Sequence, residues 1–226
     1  MKSPVRDPIT KTYTIDGKEY KELFGSREQV MNDTAYKTYK YDVSATDTHI
    51  KVGKKSVHAF SERDPKKLPW KKLKIDIVLE ATGIFRDKKT AGMHISAGAK
   101  RVVISAPSKG DGIDGFVRGV NCHTYQGQTI IDNASCTTNC TAPVVTVLES
   151  VFGIEKAMLT TIHSYTAAQN LQDGAHKDLR RARAAAQNIV PTTTGAAKAT
   201  TRIIPKLKGK FDGIAVRVPT ITVSLT

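Results

Sequence analysis

Two apolar runs of buried-strand type, "IDIVLE" at 75–80 and "KRVVISAP" at 100–107, flank "DKKTAGMHISAGAK", which has the character of a crossover helix. Strand, helix and strand in that order predict a parallel βαβ unit, because parallel neighbours require a long crossover. From about residue 39 onward the pattern is therefore that of an α/β protein. "QTIIDNAS" supplies another strand, and "CTTNCTAPVVTVLESVF" carries apolar residues at helical spacing, with Pro143 expected near the first turn, where proline is tolerated. "KAMLTTIHSY" is strand-like. "TAAQNLQDGAHKDLRRARAAAQNIVPTTT" is too polar and irregular to be mostly strand and reads as a long functional loop. "TGAAKATTRIIPKL" then reads as a helix and "GIAVRVPTITVSLT" as a strand at the chain's end.

Residues 1–38 have a different character. In "KTYTIDGKEY" two short alternating runs flank Asp16-Gly17, a strong signal for a tight hairpin turn. "ELFGSREQVMNDTAYKT" is polar and turn-rich, and through "GSREQV" and "TAYKT" it resembles a short basic module of some large-virus and bacterial proteins, to which no function attaches.

The start "MKSPVRDPITK" lacks the apolar core of a signal peptide, and no stretch approaches the ~20 apolar residues of a membrane helix. A cytoplasmic protein is expected, with no membrane partner. Cysteines 122, 136 and 140 are too few and odd in number for a disulfide framework, so they read as reduced thiols. The formal charge of +14 favours anionic partners such as sugar phosphates, dinucleotides or nucleic acid, but equally describes a basic solvated surface.

The chemistry concentrates in "ASCTTNC", residues 134–140. Where a strand ends and a helix begins, Cys136 meets the positive end of the helix dipole, which favours a thiolate nucleophile. A buried inert cysteine remains the alternative, since free cysteine is among the most buried residue types. No metal site is expected, because C-x-x-x-C is not the usual zinc pair and no second pair follows. His163 ends the strand "LTTIH", and strand ends are where open α/β sheets assemble sites, so a Cys–His pairing is suggested but not fixed by spacing.

In order and at matching intervals, "ASCTTNC", "TTIHSYTAAQ", "HKDLRRARAAAQNIVPTTTGAAKA" and "AVRVPT" strongly resemble phosphorylating glyceraldehyde-3-phosphate dehydrogenase. "SERDPKKLPW", "EATGIF" and "AGAKRVVISAPSKG" are similar to the later part of that family's dinucleotide-binding domain, so the resemblance spans about 39–222. It implies an α/β architecture: an incomplete Rossmann-like domain over 39–135, then a partial α+β catalytic domain over 136–226, with a leader at 1–38. Residues matching the family's nucleophile and base are Cys136 and His163. Matching its substrate and phosphate sites are Ser135, Thr137, Thr166, Arg183, Thr194, Gly195 and Arg217. Lys177, Arg180 and Arg181 are expected to be surface or inter-subunit residues. Thr82, Gly83, Phe85 and Ser105 match positions lining NAD or NADP, and Asp33 is a candidate for the adenine ribose. Implied partners are glyceraldehyde 3-phosphate, inorganic phosphate, and copies of the chain or a complementing chain.

Departures qualify the resemblance. A "GFGRIGR"-like loop, which would let backbone N–H groups approach a pyrophosphate, is not found, and the chain stops soon after "RVPT". The expectation is a chain truncated at both ends behind an unrelated leader, its sheet missing a central strand and left with bare apolar faces. An inactive or split derivative kept as a binding module, and an erythrose-4-phosphate dehydrogenase, are the alternatives. Nucleic-acid binding has charge in its favour but no recognisable motif.

Overall fold

A computed structural model describes residues 5–6, 12–15, 18–21, 32–35 and 37–226, and divides the chain into two compact units, 1–68 and 69–226. In the first unit, β1 (Val5–Arg6), β2 (Thr12–Ile15) and β3 (Lys18–Lys21) form an antiparallel sheet in that order. Ile15 opposite Lys18 gives the register expected of the hairpin, whose turn residues Asp16 and Gly17 lie outside the described residues. A second pair joins β4 (Asn32–Asp33) to β5 (Lys37–Thr38). Next come β6 (Val43–Ala45), β7 (His49–Val52) and β8 (Lys55–His58), an antiparallel meander rather than the α/β pattern expected from residue 39. The two-residue turn between β7 and β8 explains the difference: Gly53 at φ +54° supplies the left-handed backbone such hairpins need.

In the second unit the βαβ expectation holds. β9 (Ile77–Glu80), α1 (Lys88–Ser96) and β10 (Arg101–Ile104) give two parallel strands in register, Ile77 opposite Arg101. Asp87 starts α1 by accepting from the Thr90 N–H at 2.9 Å, with the Thr90 side chain reaching back in a capping box. β11 (Asp114–Gly115) and β12 (Ile130–Asp132) complete an all-parallel Rossmann-like sheet of order β11-β12-β10-β9. Val78, Ala91, Val102, Ile104 and Ile113 form its buried core, with Trp70, Ile95 and Ile130 packed against it. The opposite face of β9 is uncovered: Ile77 and Leu79 are 58% and 65% exposed, and among the described residues β9 pairs with β10 alone.

The rest of the unit is α2 (Cys136–Val151), β13 (Ala157–Ser164), β14 (Val190–Thr193), α3 (Ala196–Ile203), β15 (Phe211–Val218) and β16 (Ser224–Leu225). The sheet is mixed, order β14-β15-β13-β16, with only β13 and β15 parallel. β14 emerges from the long polar stretch, where "VPTT" alternates buried Val190 and Thr192 with exposed partners. Pro143 sits inside α2 rather than near its first turn, because the helix starts at Cys136; the proline leaves the Asn139 carbonyl without its i+4 donor. Val117, Ala134, Ala142 and Ile203 form a second buried cluster that binds α2 and α3 to the strand end before Cys136.

Gly98 is confined twice over. Its φ is +105°, and a Cβ there would lie 2.5 Å from the Lys71 Cβ and 2.7 Å from Lys71 backbone atoms. Gly98→Ala is expected to destabilise the fold by about 2 kcal/mol or more, read from urea melts.

Candidate active site

The turn that presents Cys136 is built by hydrogen bonds from both of its ends. Asp132 closes β12, and its Oδ1 accepts the Ala134 N–H at 2.9 Å, bending the chain so that Ala134 adopts φ +53° while 3% exposed. The Asn133 N–H returns to the Ile104 carbonyl at 2.9 Å, and Asn139 Nδ2 donates to the Asn133 and Ser135 carbonyls at 2.7 and 2.9 Å. Ser135 is the N-cap of α2, its Oγ accepting from the Thr138 N–H at 3.1 Å. Among the described residues the N–H groups of Cys136 and Thr137 meet no acceptor, as the first turn of a helix permits. The thiol is exposed, whereas Thr137 and Thr138 behind it are buried.

β13 carries His163 to this turn, with its Nε2 3.4 Å from Cys136 Sγ. A thiol and an imidazole at that distance can exchange a proton. His163 is paired in register with Arg217 on β15, and the Arg217 guanidinium lies 2.6 Å from His163 Nδ1 and 2.9 Å from the Ser164 carbonyl. The same Nδ1 is 2.7 Å from the Ser164 carbonyl. One nitrogen cannot both accept from Arg217 and donate to a carbonyl. Arginine has only donors, so with Arg217 in place Nδ1 accepts and the ring proton sits on Nε2, towards the sulfur. Burial disfavours the charge on Arg217 and nearby Arg181 adds repulsion, both lowering its pKa, while Cys136 acts in the opposite direction.

The neighbour of Arg217 is thus Arg181, for which the sequence suggests a surface or inter-subunit place. Its Nε and NH2 both donate to Oγ of buried Thr192 on β14, at 3.0 and 2.8 Å. Arg183 instead pairs with Asp173 at 3.1 Å, both side chains about 60% exposed, and no hydrogen bond joins it to Cys136, His163 or Arg217. Nothing in the sequence separates the two arginines; the folded turn does. Thr194 accepts from the Ala196 N–H at 3.1 Å, and Gly195 opens α3 without a side-chain cap. Thr166 is exposed in the turn after β13 and accepts weakly from Ala168 at 3.4 Å.

The residues read as cofactor-binding lie beyond the carboxyl ends of β9 and β10, where open parallel sheets take dinucleotides. Thr82 donates to Glu80 Oε1 through both its N–H, at 2.8 Å, and its hydroxyl, and that hydroxyl accepts from the Ile84 N–H. Its polar side chain is consumed in shaping the turn at Gly83, φ +73°. Glu80 is 3% exposed and its other oxygen meets His94 Nε2 at 2.9 Å; Trp70 Nε1 donates to His94 Nδ1 at 3.1 Å, and Phe85 packs edge-on against the same ring. Since the indole can only donate, the His94 ring proton lies on Nε2, facing Glu80. The Ser105 N–H donates to the Glu80 carbonyl at 3.0 Å, bringing the two strand ends together. The Asp33 backbone is in β4, and its side chain lies outside the described residues. Among the described residues no group of three or more His, Cys, Asp or Glu could hold a metal, and no helix is long and apolar enough to cross a membrane.

A Rossmann-like parallel sheet therefore runs directly into a mixed-sheet domain of catalytic type, with a cysteine and a histidine meeting at the junction. Residues 22–88 match the glyceraldehyde 3-phosphate dehydrogenase NAD-binding domain, and residues 135–226 match that family's C-terminal domain. The chain belongs to the glyceraldehyde-3-phosphate dehydrogenase family. It is 56% identical over 195 residues to glyceraldehyde-3-phosphate dehydrogenase A, chloroplastic, of Scenedesmus vacuolatus, covering 85% of this chain and 62% of that protein. It is 55% identical over 222 residues to glyceraldehyde-3-phosphate dehydrogenase 2 of a Nostoc species, covering 97% and 61%. The enzyme of Streptomyces coelicolor is 54% identical over 196 residues, covering 86% and 58%. The chain thus spans about three fifths of these relatives' length. Because the matches run into residues 22–38 and beyond, nothing sets the first 38 residues apart as an unrelated leader.

Two outcomes are expected from this geometry. In phosphate-free protein, 15N NMR should find the His163 proton on Nε2, and Arg217→Ala should move it to Nδ1, where the Ser164 carbonyl accepts it; the same tautomer in both would refute the assignment. The second concerns Asp132, 1% exposed. Burial would push its carboxyl up, yet hydrogen bonds from Ser108, Arg202 and Ala134 hold it below the usual carboxylate range. A depressed folded-state value means that its stabilisation is fully present above the unfolded pKa, about 3.9, and lost as pH falls further through the folded value. Acid unfolding followed by circular dichroism should therefore show a shallower limb below pH ~4 in Asp132→Asn.

Proposed function

We propose that the chain serves the phosphorylating oxidation of glyceraldehyde 3-phosphate to 1,3-bisphosphoglycerate with NAD or NADP. The observation that carries this is the Cys136 Sγ–His163 Nε2 approach of 3.4 Å at the start of α2, beside two arginines. Once a phosphate oxygen draws Arg217 off the ring, the ring proton sits on Nδ1 against the Ser164 carbonyl and the freed Nε2 takes the thiol proton. The sulfur attacks the aldehyde carbon, forming the C–S bond as the carbonyl π bond opens, and the proton passes from Nε2 to the new oxyanion to give the thiohemiacetal hydroxyl. The Cys136 and Thr137 N–H groups are proposed to face the developing oxyanion, an electrostatic role suited to free donors at a helix start. His163 then removes the proton of the thiohemiacetal hydroxyl as the carbon–hydrogen bond gives up a hydride. A bound nicotinamide supplies the hydride acceptor. The resulting thioester is opened by inorganic phosphate, breaking the C–S bond and returning the thiolate.

Two phosphates need donors on several sides. Arg217, Thr166, Ser135, Thr137, Thr194 and Gly195 are proposed for them, and the geometry favours Arg181 over Arg183 as the further arginine, because Arg181 is the one beside Arg217. Thr82, Gly83, Phe85 and Ser105 are proposed to line the nicotinamide and adenine sides of the cofactor through backbone atoms and the Phe85 ring, with Asp33 proposed for the ribose. The matched family domains support a division into a dinucleotide-binding part and a catalytic part starting near Cys136. Assembly with further copies or a complementing chain, and a cytoplasmic setting, belong to the same proposal.

The test is reduced-cofactor production by the purified chain with glyceraldehyde 3-phosphate, phosphate and each cofactor in turn. Activity should fall by about 10³-fold or more in Cys136→Ala. Arg181→Ala should raise the substrate or phosphate KM by about tenfold or more, as loss of a charge-assisted contact would, with Arg183→Ala within about twofold of wild type. No reduction by folded protein would sink the stand-alone enzyme reading.

A further inference from the structure

Asp132 does more than end a strand. Its Oδ1 holds the Ala134 N–H, while its Oδ2 accepts from the Ser108 N–H at 3.0 Å and from Arg202 NH2 at 2.7 Å. Arg202 comes from the last turn of α3, the helix that opens at Thr194-Gly195, and its NH2 also approaches the Ile113 carbonyl at 3.4 Å. Gly115 leaves room for this contact: a Cβ there would lie 2.9 Å from Asp132 Oδ1 and 3.0 Å from Arg202 NH2. The carboxylate is 1% exposed and has no other cation among its described hydrogen-bond or ion-pair partners.

We infer that Asp132 and Arg202 are positioning residues for Cys136, tying the helix proposed to take phosphate to the turn that presents the thiol. Ala134, two residues before the nucleophile, is in the left-handed region, which a residue with a Cβ leaves unless something holds it, and the hold is the Asp132 carboxylate. Without Arg202 the charge of Asp132 is buried with only two backbone donors. The carboxylate then shifts towards solvent, Ala134 relaxes, and Cys136 loses its fixed distance to His163. Displacements of about an ångström at a reacting atom cost up to roughly 10²-fold in rate. The device rests on Cys136 being the nucleophile of the proposed reaction, but its effect on the thiol needs neither substrate nor dinucleotide.

The experiment is site-resolved alkylation of the full chain by iodoacetamide, followed by mass spectrometry at Cys136 and Cys140, for wild type, Arg202→Met, Arg202→Lys and Asp132→Asn. Arg202→Met should slow Cys136 alkylation by about tenfold, leave Cys140 unchanged, and be rescued to within about twofold by Arg202→Lys, which keeps the cation. In turnover, kcat should fall in Arg202→Met with the aldehyde KM unaltered. Cys136 and Cys140 slowing together would mean a general structural effect and would overturn the inference, as would an unchanged Cys136 rate in folded Arg202→Met. Should Asp132→Asn fail to fold, the Arg202 pair decides alone, because that side chain is 37% exposed and its loss opens no core. Wild-type protein that lacks dehydrogenase activity yet shows the expected alkylation pattern would refute the proposed function and leave this inference standing.

Discussion

A carboxylate excluded from water must be fully partnered, and Asp132 is the place where this chain meets that demand. Its partners come from three segments: the loop after β10, the turn into α2, and the last turn of α3. Satisfying one buried charge therefore fixes the relation of the parallel sheet to the mixed sheet, and with it the meeting of Cys136 and His163. The apolar cluster of Val117, Ala134, Ala142 and Ile203 surrounds the same junction and supplies non-directional packing around the directional bonds. The site belongs to neither sheet; it exists where their strand ends converge.

Much of this was legible in the chain itself. The βαβ unit announced itself by two apolar runs around a helical segment, and "ASCTTNC" placed a thiol at a strand–helix boundary, where helix geometry leaves donors free. His163 was readable as a strand end. Side-chain direction was not. Arg181 and Arg183 are equivalent as letters, and only the short helical turn over Leu179–Ala182 sends Arg181 against Thr192 and Arg183 out to Asp173. Thr82 entered as a cofactor contact only through the family resemblance. Its commitment to Glu80 depends on a carboxylate being buried beneath it, a tertiary fact.

Elements set by distant pairing were also hard to see. β14 lies in a polar stretch and is a strand because β15 offers it an antiparallel edge, Val190 opposite Arg217. The meander of β6, β7 and β8 is governed by short local turns, and its antiparallel pairing could not be read from the βαβ unit that follows it. Bare apolar surface was expected and is present on β9, while α2 adds exposed Val144, Val147, Val151 and Phe152.

The hydrogen-bonded chain from Trp70 through buried His94 and Glu80 to Thr82 has a practical meaning. Trp70 is the only tryptophan of the sequence, and its indole N–H is bonded to the histidine that supports both Glu80 and Phe85. Indole emission is sensitive to the polarity and hydrogen bonding of its surroundings. The protein thus carries, without labelling, an optical gauge wired through His94 and Glu80 to the turn at Thr82 and Gly83, so that a disturbance of that turn registers as a change in colour or intensity of one residue's light.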